Sequence, residues 1–148
     1  MSDARSLYDD VVMDHIRNAR NYGAMADPSQ RATGLNRLCG DELTVFLRVE
    51  GDRIPLVQFE CSCCGISMAS ASIMTEAISG HSLHEARELV GEIVAALHGA
   101  ALPERNARTG QLALLVAALA EFPSRVNCAV LPWRTLDAAI DGRTEAAV

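Results

Sequence analysis

Leu43, Val45, Leu47 and Val49 recur at every second position, with Glu42, Thr44, Phe46 and Arg48 between them. Successive side chains of a strand point to opposite faces, so this period specifies a half-buried β-strand. Glu50-Gly51-Asp52-Arg53 then reads as a hairpin turn. Ile54 to Cys61 follows as a second strand with Val57, Phe59 and Cys61 on one side. Pro55 has no N–H to give a ladder, so that end lies at a sheet edge or a strand start.

Around this hairpin the period changes to that of helices. Ser6 to about Asn18 carries Leu7, Val11, Val12 and His15 at helical spacing and is stopped by Asn21-Tyr22-Gly23. Residues 24–38 hold Pro28, Gly34 and Asn36 and read as a loop ending in a short strand near Ala32 to Leu38. Gly65 to Ser79 is a small-residue helix with Ile66, Ala69, Ile73 and Ala77 on one stripe and Gly80 as terminator. Ser82 and Glu85 form a capping-box pattern for a helix from Leu83 to about Leu97. The stretch from Gly99 to Arg108, with Pro103, breaks it. Thr109 to Ala120 is a further apolar helix, and Cys128 to Ile140 is the last, where Pro132 fits only in a first turn. The tail after Gly142 reads as loose.

The 148 residues suit a single domain, 1–148, with its core at about 7–140. A net charge of −6, with all thirteen basic residues being Arg scattered along the chain, offers no block that could neutralise a run of phosphates. Nucleic acid is therefore not an expected partner. The N-terminus is charged where a secretory signal would be apolar, and the longest apolar run, Leu112 to Ala120, is too short for a bilayer. The expected setting is the cytoplasm, away from any membrane. There, the five cysteines are expected as thiols for metal or chemistry, not as disulfides.

Cys39-Gly40-Asp41 lies in the turn before the alternating strand, and the glycine lets a thiolate and a carboxylate turn towards one ion. Cys64 lies where the second strand gives way to the small-residue helix, whose unpaired amides favour a thiolate. Cys128 opens the final helix, three residues after Arg125. Three cysteines and Asp41 match the ligand number and types of a tetrahedral zinc site. Taken singly, each cysteine reads equally as a small buried hydrophobe, Asp41 as a turn residue and Arg125 as half of a surface ion pair. The histidines, 15, 81, 84 and 98, read as packing or helix-end residues.

Ordered motifs carry a more specific signal. Leu7-Tyr8, Met13-Asp14-His15, Arg20-Asn21-Tyr22-Gly23, Cys39-Gly40-Asp41, Phe59-Glu60 leading to Cys64, the run Ile66 to Ser72, and Phe122-Pro123-Ser124-Arg125 before Cys128 resemble the SufU branch of the IscU/NifU scaffold family over about Leu7 to Ile140. The resemblance implies an α+β fold, a small antiparallel sheet of about three strands packed against helices. It also implies that Cys39, Asp41, Cys64 and Cys128 are ligands of Zn2+, of iron, or of a transient [2Fe–2S] cluster. The long stretch between Cys64 and Cys128 and Asn127 beside Cys128 resemble SufU more than IscU.

Three functional readings use these residues, the first two as the resemblance implies and the third from a different class. In the first, a cysteine desulfurase of the SufS type passes persulfide sulfur to Cys39, with Arg125 steadying anionic sulfur, before downstream iron–sulfur acceptor proteins receive it. In the second, the same residues are a non-enzymatic scaffold for a [2Fe–2S] cluster. In the third, the site is a structural zinc domain for protein contacts. Cys61 and Cys63 depart from the family's Gly-x-Gly-Cys loop. They read either as passive thiols or as auxiliary ones that replace a ligand or carry sulfur.

Overall fold

The computed structural model describes residues 2–102, 108–120 and 122–148, the side chains of 2–9 and 108–110 excepted. In chain order the elements are α1 (Ser2–Arg17), β1 (Gln30–Asn36), β2 (Asp41–Glu50), β3 (Arg53–Ser62), α2 (Gly65–Ile78), α3 (Leu83–Leu97), α4 (Arg108–Leu119), a 3-10 turn (Pro123–Arg125), α5 (Val126–Ile140) and β4 (Glu145–Ala147). Part of the break expected from Gly99 to Arg108, including Pro103, falls outside the described residues. The sheet order is β3-β2-β1-β4. The first three strands are antiparallel, as expected, with Leu43 opposite Cys61 and Val45 opposite Phe59.

The tail departs from its reading as loose. Residues Glu145–Ala147 add a fourth strand, parallel to β1, with Thr33 opposite Glu145. Three residues carry too little pattern to read as a strand. The Thr33 N–H bond to the Thr144 carbonyl (2.9 Å) and the Val148 N–H bond to the Leu35 carbonyl (3.1 Å) dock the segment.

The alternating face of β2 is the heart of the core: Leu43, Val45 and Leu47 are fully buried, beside Val57 and Phe59 of β3. Ile73 and Met74 of α2, Ile93 of α3, Leu112 and Leu115 of α4, and Trp133 and Leu136 of α5 belong to the same cluster. Full burial of each large apolar side chain is worth roughly 1.5–3 kcal/mol. Phe46, on the opposite face, is buried as well, and the Arg31 guanidinium lies 5.8 Å from its ring centre. Tyr22 and Gly23 lie along β3: the Gly23 N–H donates to the Phe59 carbonyl (2.8 Å) and Phe59 returns a bond to Asn21 (3.2 Å), occupying edge groups of the sheet. His15 is buried between Ser72 (2.6 Å) and Gln111 (2.7 Å), and burial lowers its pKa. Among the described residues no single helix is long and apolar enough to cross a membrane.

Two local features bring α5 to the sheet in register. At Gly34 an added Cβ would meet Thr135 Oγ1 at 2.0 Å, so the missing side chain is what lets α5 lie against β1. Pro132 is the seventh residue of α5, not in its first turn as the sequence suggested. A proline there leaves the carbonyl four residues back, that of Cys128, without its helical donor. Ser67 Oγ of α2 supplies the replacement at 2.8 Å, and Ser70 Oγ adds a second bond, to the Ala129 carbonyl at 2.7 Å. The broken helical bond thus becomes a tie between α2 and the segment that carries Cys128.

Candidate metal centre

The β1–β2 hairpin closes at Asn36 opposite Asp41. Gly40, at φ +72°, makes the left-handed step that reverses the chain within the loop. Cys39 is left exposed on this loop, while Asp41 re-enters the strand and is buried. Cys128, fully buried, comes up from below as the third residue of α5, with its Sγ 3.5 Å from that of Cys39. The ligand atoms of Cys39, Asp41 and Cys128 all lie within 4.8 Å of one another. Two thiolates bound to one tetrahedral zinc at about 2.3 Å stand roughly 3.8 Å apart, so the observed sulfur separation fits such an ion.

Cys64 borders this group. It is the N-cap residue of α2, and its backbone N–H donates to Asp41 Oδ1 at 3.1 Å. Its thiol donates to Ser67 Oγ at 3.6 Å. Sequence positions 39, 41, 64 and 128 therefore meet at one end of the fold. The tight trio is Cys39, Asp41 and Cys128, with Cys64 alongside it. Cys64 and Arg125 also line a groove of about 510 Å³ walled by Val12, Ile16, Ile66 and Phe122.

Two residues that the sequence reading gave no role complete the cluster. Asn36, buried, accepts from the Leu38 N–H (3.2 Å) and donates to Cys128 Sγ (3.9 Å). Ser67 Oγ lies 2.8 Å from the Cys128 carbonyl and 3.0 Å from Asp41 Oδ2. A hydroxyl has one proton to give, so when the carbonyl takes it Asp41 Oδ2 keeps a free lone pair. Ser67 carried a readable signal, since it lies three residues after Cys64 on one helix face and Pro132, four after Cys128, frees the carbonyl it meets; Asn36 carried none.

Burial and the neighbouring thiols disfavour a bare thiolate at the base of the cluster. Burial first, then hydrogen bonds that its S–H gives to Cys39 and Cys64, push the Cys128 thiol up to about 12. Its hydrogen bond to Cys128 and the nearby charges of Cys64 and Cys39 raise the pKa of Arg125. A bound metal ion reverses this logic and deprotonates its thiols outright.

Cys61 and Cys63 are joined to each other as a disulfide, against the expectation of five thiols. Cys61 is in β3 and Cys63 follows its end, where the chain leaves the strand and brings their Cα atoms to 5.4 Å, within bridging range. The free cysteines are Cys39, Cys64 and Cys128.

Residues 7–140 match the NifU-like N-terminal domain. The chain belongs to that family. The zinc-dependent sulfurtransferase SufU of Bacillus subtilis is 33% identical over 135 residues, 91% of this chain and 90% of that protein. The iron–sulfur cluster assembly scaffold protein IscU of Thermotoga maritima is 31% identical over 136 residues, 92% of this chain and 94% of that protein. The crystal structure of a cluster assembly scaffold protein for the SUF system from Fervidobacterium islandicum superimposes with a TM-score of 0.81 at 31% identity, over 88% of this chain and 94% of that one. A NifU-like protein from Brucella abortus shares the fold, at a TM-score of 0.78 and 22% identity. In this NifU-like domain the α+β architecture expected from the motifs is present, and the cysteine–aspartate group occupies its hairpin end.

Proposed function

We propose that this NifU-like domain works in iron–sulfur cluster assembly, accepting persulfide sulfur from a cysteine desulfurase at a zinc site formed by Cys39, Asp41, Cys64 and Cys128. The observation that carries it is the meeting of three free thiols and a buried carboxylate at one end of the fold, with exposure graded from Cys39 at the surface to Cys128 at the base. The similarity to a protein named as a zinc-dependent sulfurtransferase supports the same reading.

Zinc held by this set would supply positive charge that keeps the thiols ionised at neutral pH. The chain's own residues do the rest. Cys128, Asn36 and Ser67 fix the base of the site, and Gly40 lets the Cys39 loop face outward. As the exposed thiolate, Cys39 attacks the terminal sulfur of the donor's persulfide. A new sulfur–sulfur bond forms on Cys39, the donor's bond breaks, and the donor leaves as its thiolate. Arg125, exposed at the rim on the groove that Cys64 also lines, places a guanidinium where the incoming sulfur is anionic. The expected partners are a SufS-like desulfurase and iron–sulfur acceptor proteins, in the cytoplasm.

A second reading takes the same thiolates as the seat of a [2Fe–2S] cluster that is built and passed on, and the 31% identity to a protein named as a scaffold favours it. The two separate in one experiment. Anaerobically purified wild type and Cys39→Ser are assayed for zinc, iron and acid-labile sulfide, then for sulfur gained from a persulfide-charged desulfurase. Sulfur transfer predicts zinc in the wild type, sulfur uptake by it, and a folded Cys39→Ser variant that takes up none. Iron with matching sulfide and no dependence on Cys39 would overturn it.

A further inference from the structure

Sulfur that arrives as a persulfide is at the oxidation level of elemental sulfur, two electrons above the sulfide of an iron–sulfur cluster. We propose that Cys61 and Cys63 are a built-in dithiol that supplies those two electrons and ends as the disulfide seen in the structure; this rests on the sulfur-acceptor reading above.

The placement of the three neighbouring cysteines supports it. Cys61 is the ninth residue of β3 and is fixed there: its N–H donates to the Tyr22 hydroxyl (3.4 Å), which donates in turn to the Cys61 carbonyl (3.2 Å). Cys63 stands just beyond the strand, with Cys64 of the metal centre next to it as the N-cap of α2. Cys61, Cys63 and Cys64 are all half-buried, so none is sealed in the core. Cys63 thus lies between a centre thiol on one side and its bonded partner on the other.

The chemistry balances in three exchanges. The Cys64 thiolate attacks the terminal sulfur of the persulfide received on Cys39, making a persulfide on Cys64 and releasing the Cys39 thiolate. The Cys63 thiolate attacks that terminal sulfur in turn, making a persulfide on Cys63 and releasing the Cys64 thiolate. The Cys61 thiolate then attacks Cys63 Sγ; the Cys61–Cys63 bond forms, the bond to the terminal sulfur breaks, and that sulfur leaves with the electron pair as hydrosulfide. Two thiols are oxidised to one disulfide, and one sulfur is reduced to sulfide. An external dithiol or small thiol reopens the disulfide for the next turn.

The test uses the full chain, zinc-loaded and free of reductant, with glutathione persulfide radiolabelled on its terminal sulfur as the probe. Three samples are compared: reduced wild type, wild type with the Cys61–Cys63 disulfide left intact, and reduced Cys61→Ser. Labelled sulfide is trapped and counted, and intact mass and peptide mapping follow the protein. The expectation is about one sulfide released per reduced wild-type chain, which finishes as the disulfide; the other two retain the label as persulfide and release about tenfold less. The disulfide sample carries no substitution, so it guards against misfolding of the variant. Equal sulfide release from all three, with label reaching all three, would overturn the dithiol role while leaving sulfur acceptance intact. Label reaching none of them would overturn the acceptor reading and the dithiol role together.

Discussion

Helices α2 and α3 begin in opposite ways. At α3 the Ser82 side chain accepts from the Glu85 N–H (3.1 Å), and the Glu85 carboxylate takes the Ser82 N–H (3.0 Å), so the cap is closed within four residues. At α2 the N-cap is Cys64, whose side chain makes no cap hydrogen bond. Its N–H goes to Asp41, twenty-three residues back in another strand (3.1 Å). The acidic residue that would close a local cap has in effect been taken from the hairpin, and the thiol is left for chemistry. One helix start serves stability alone, whereas the other is assembled from three distant segments and is a candidate metal centre.

If that contrast is sound, Asp41→Ala has the largest effect of any single change at these two helix starts. It removes a proposed ligand and the acceptor of the Cys64 N–H together, so zinc should bind about a hundredfold more weakly. Competition against a chromophoric chelator measures this, and unchanged affinity would detach Asp41 from the centre. Gly34→Ala comes next. The added Cβ would run into Thr135, and overpacking of this kind costs roughly 1–3 kcal/mol. Because α5 carries Cys128, the variant should weaken zinc binding as well as lower the urea midpoint.

Ser82→Ala should act on one side of the comparison only. Losing the cap costs about 1 kcal/mol in urea unfolding, with zinc content and sulfur uptake as in the wild type. The smallest effect concerns pH. The Ser82 N–H first, then hydrogen bonds with His81 and Ser82, hold the Glu85 carboxyl down to about 2, against an ordinary 4.5. A depressed carboxylate stabilises the fold above its unfolded pKa and loses that contribution as protons bind. The difference in urea midpoint between wild type and Glu85→Gln should therefore be full above pH 4.5 and shrink as the pH falls towards 2. A difference constant over that range would show that the charge of Glu85 is not what holds the cap.

The same contrast explains what could be read from the sequence. The Leu83–Leu97 helix and its cap were legible because every partner lies within one turn. The β2–β3 hairpin was legible because its alternation is uninterrupted from Leu43 to Val49, and the structure has Asp41–Glu50 paired with Arg53–Ser62. The cysteines were legible as types at element ends, but their meeting was not, since it depends on Gly34 admitting α5 and on Ser67 taking the Cys128 carbonyl. Pro132 misled because a lost helical bond is a defect only when no neighbour replaces it. The Cys61–Cys63 bond was not legible, because residues two apart on a regular strand stand about 6.6 Å apart; only where the chain leaves β3 after Ser62 do the two Cα atoms close to 5.4 Å.

The sharing of one ion by residues 39, 41, 64 and 128 is tested most directly by X-ray absorption at the zinc edge of the loaded wild-type chain. Three sulfurs at about 2.3 Å and one light atom at about 2.0–2.2 Å are predicted. A shell with two sulfurs or fewer would contradict it.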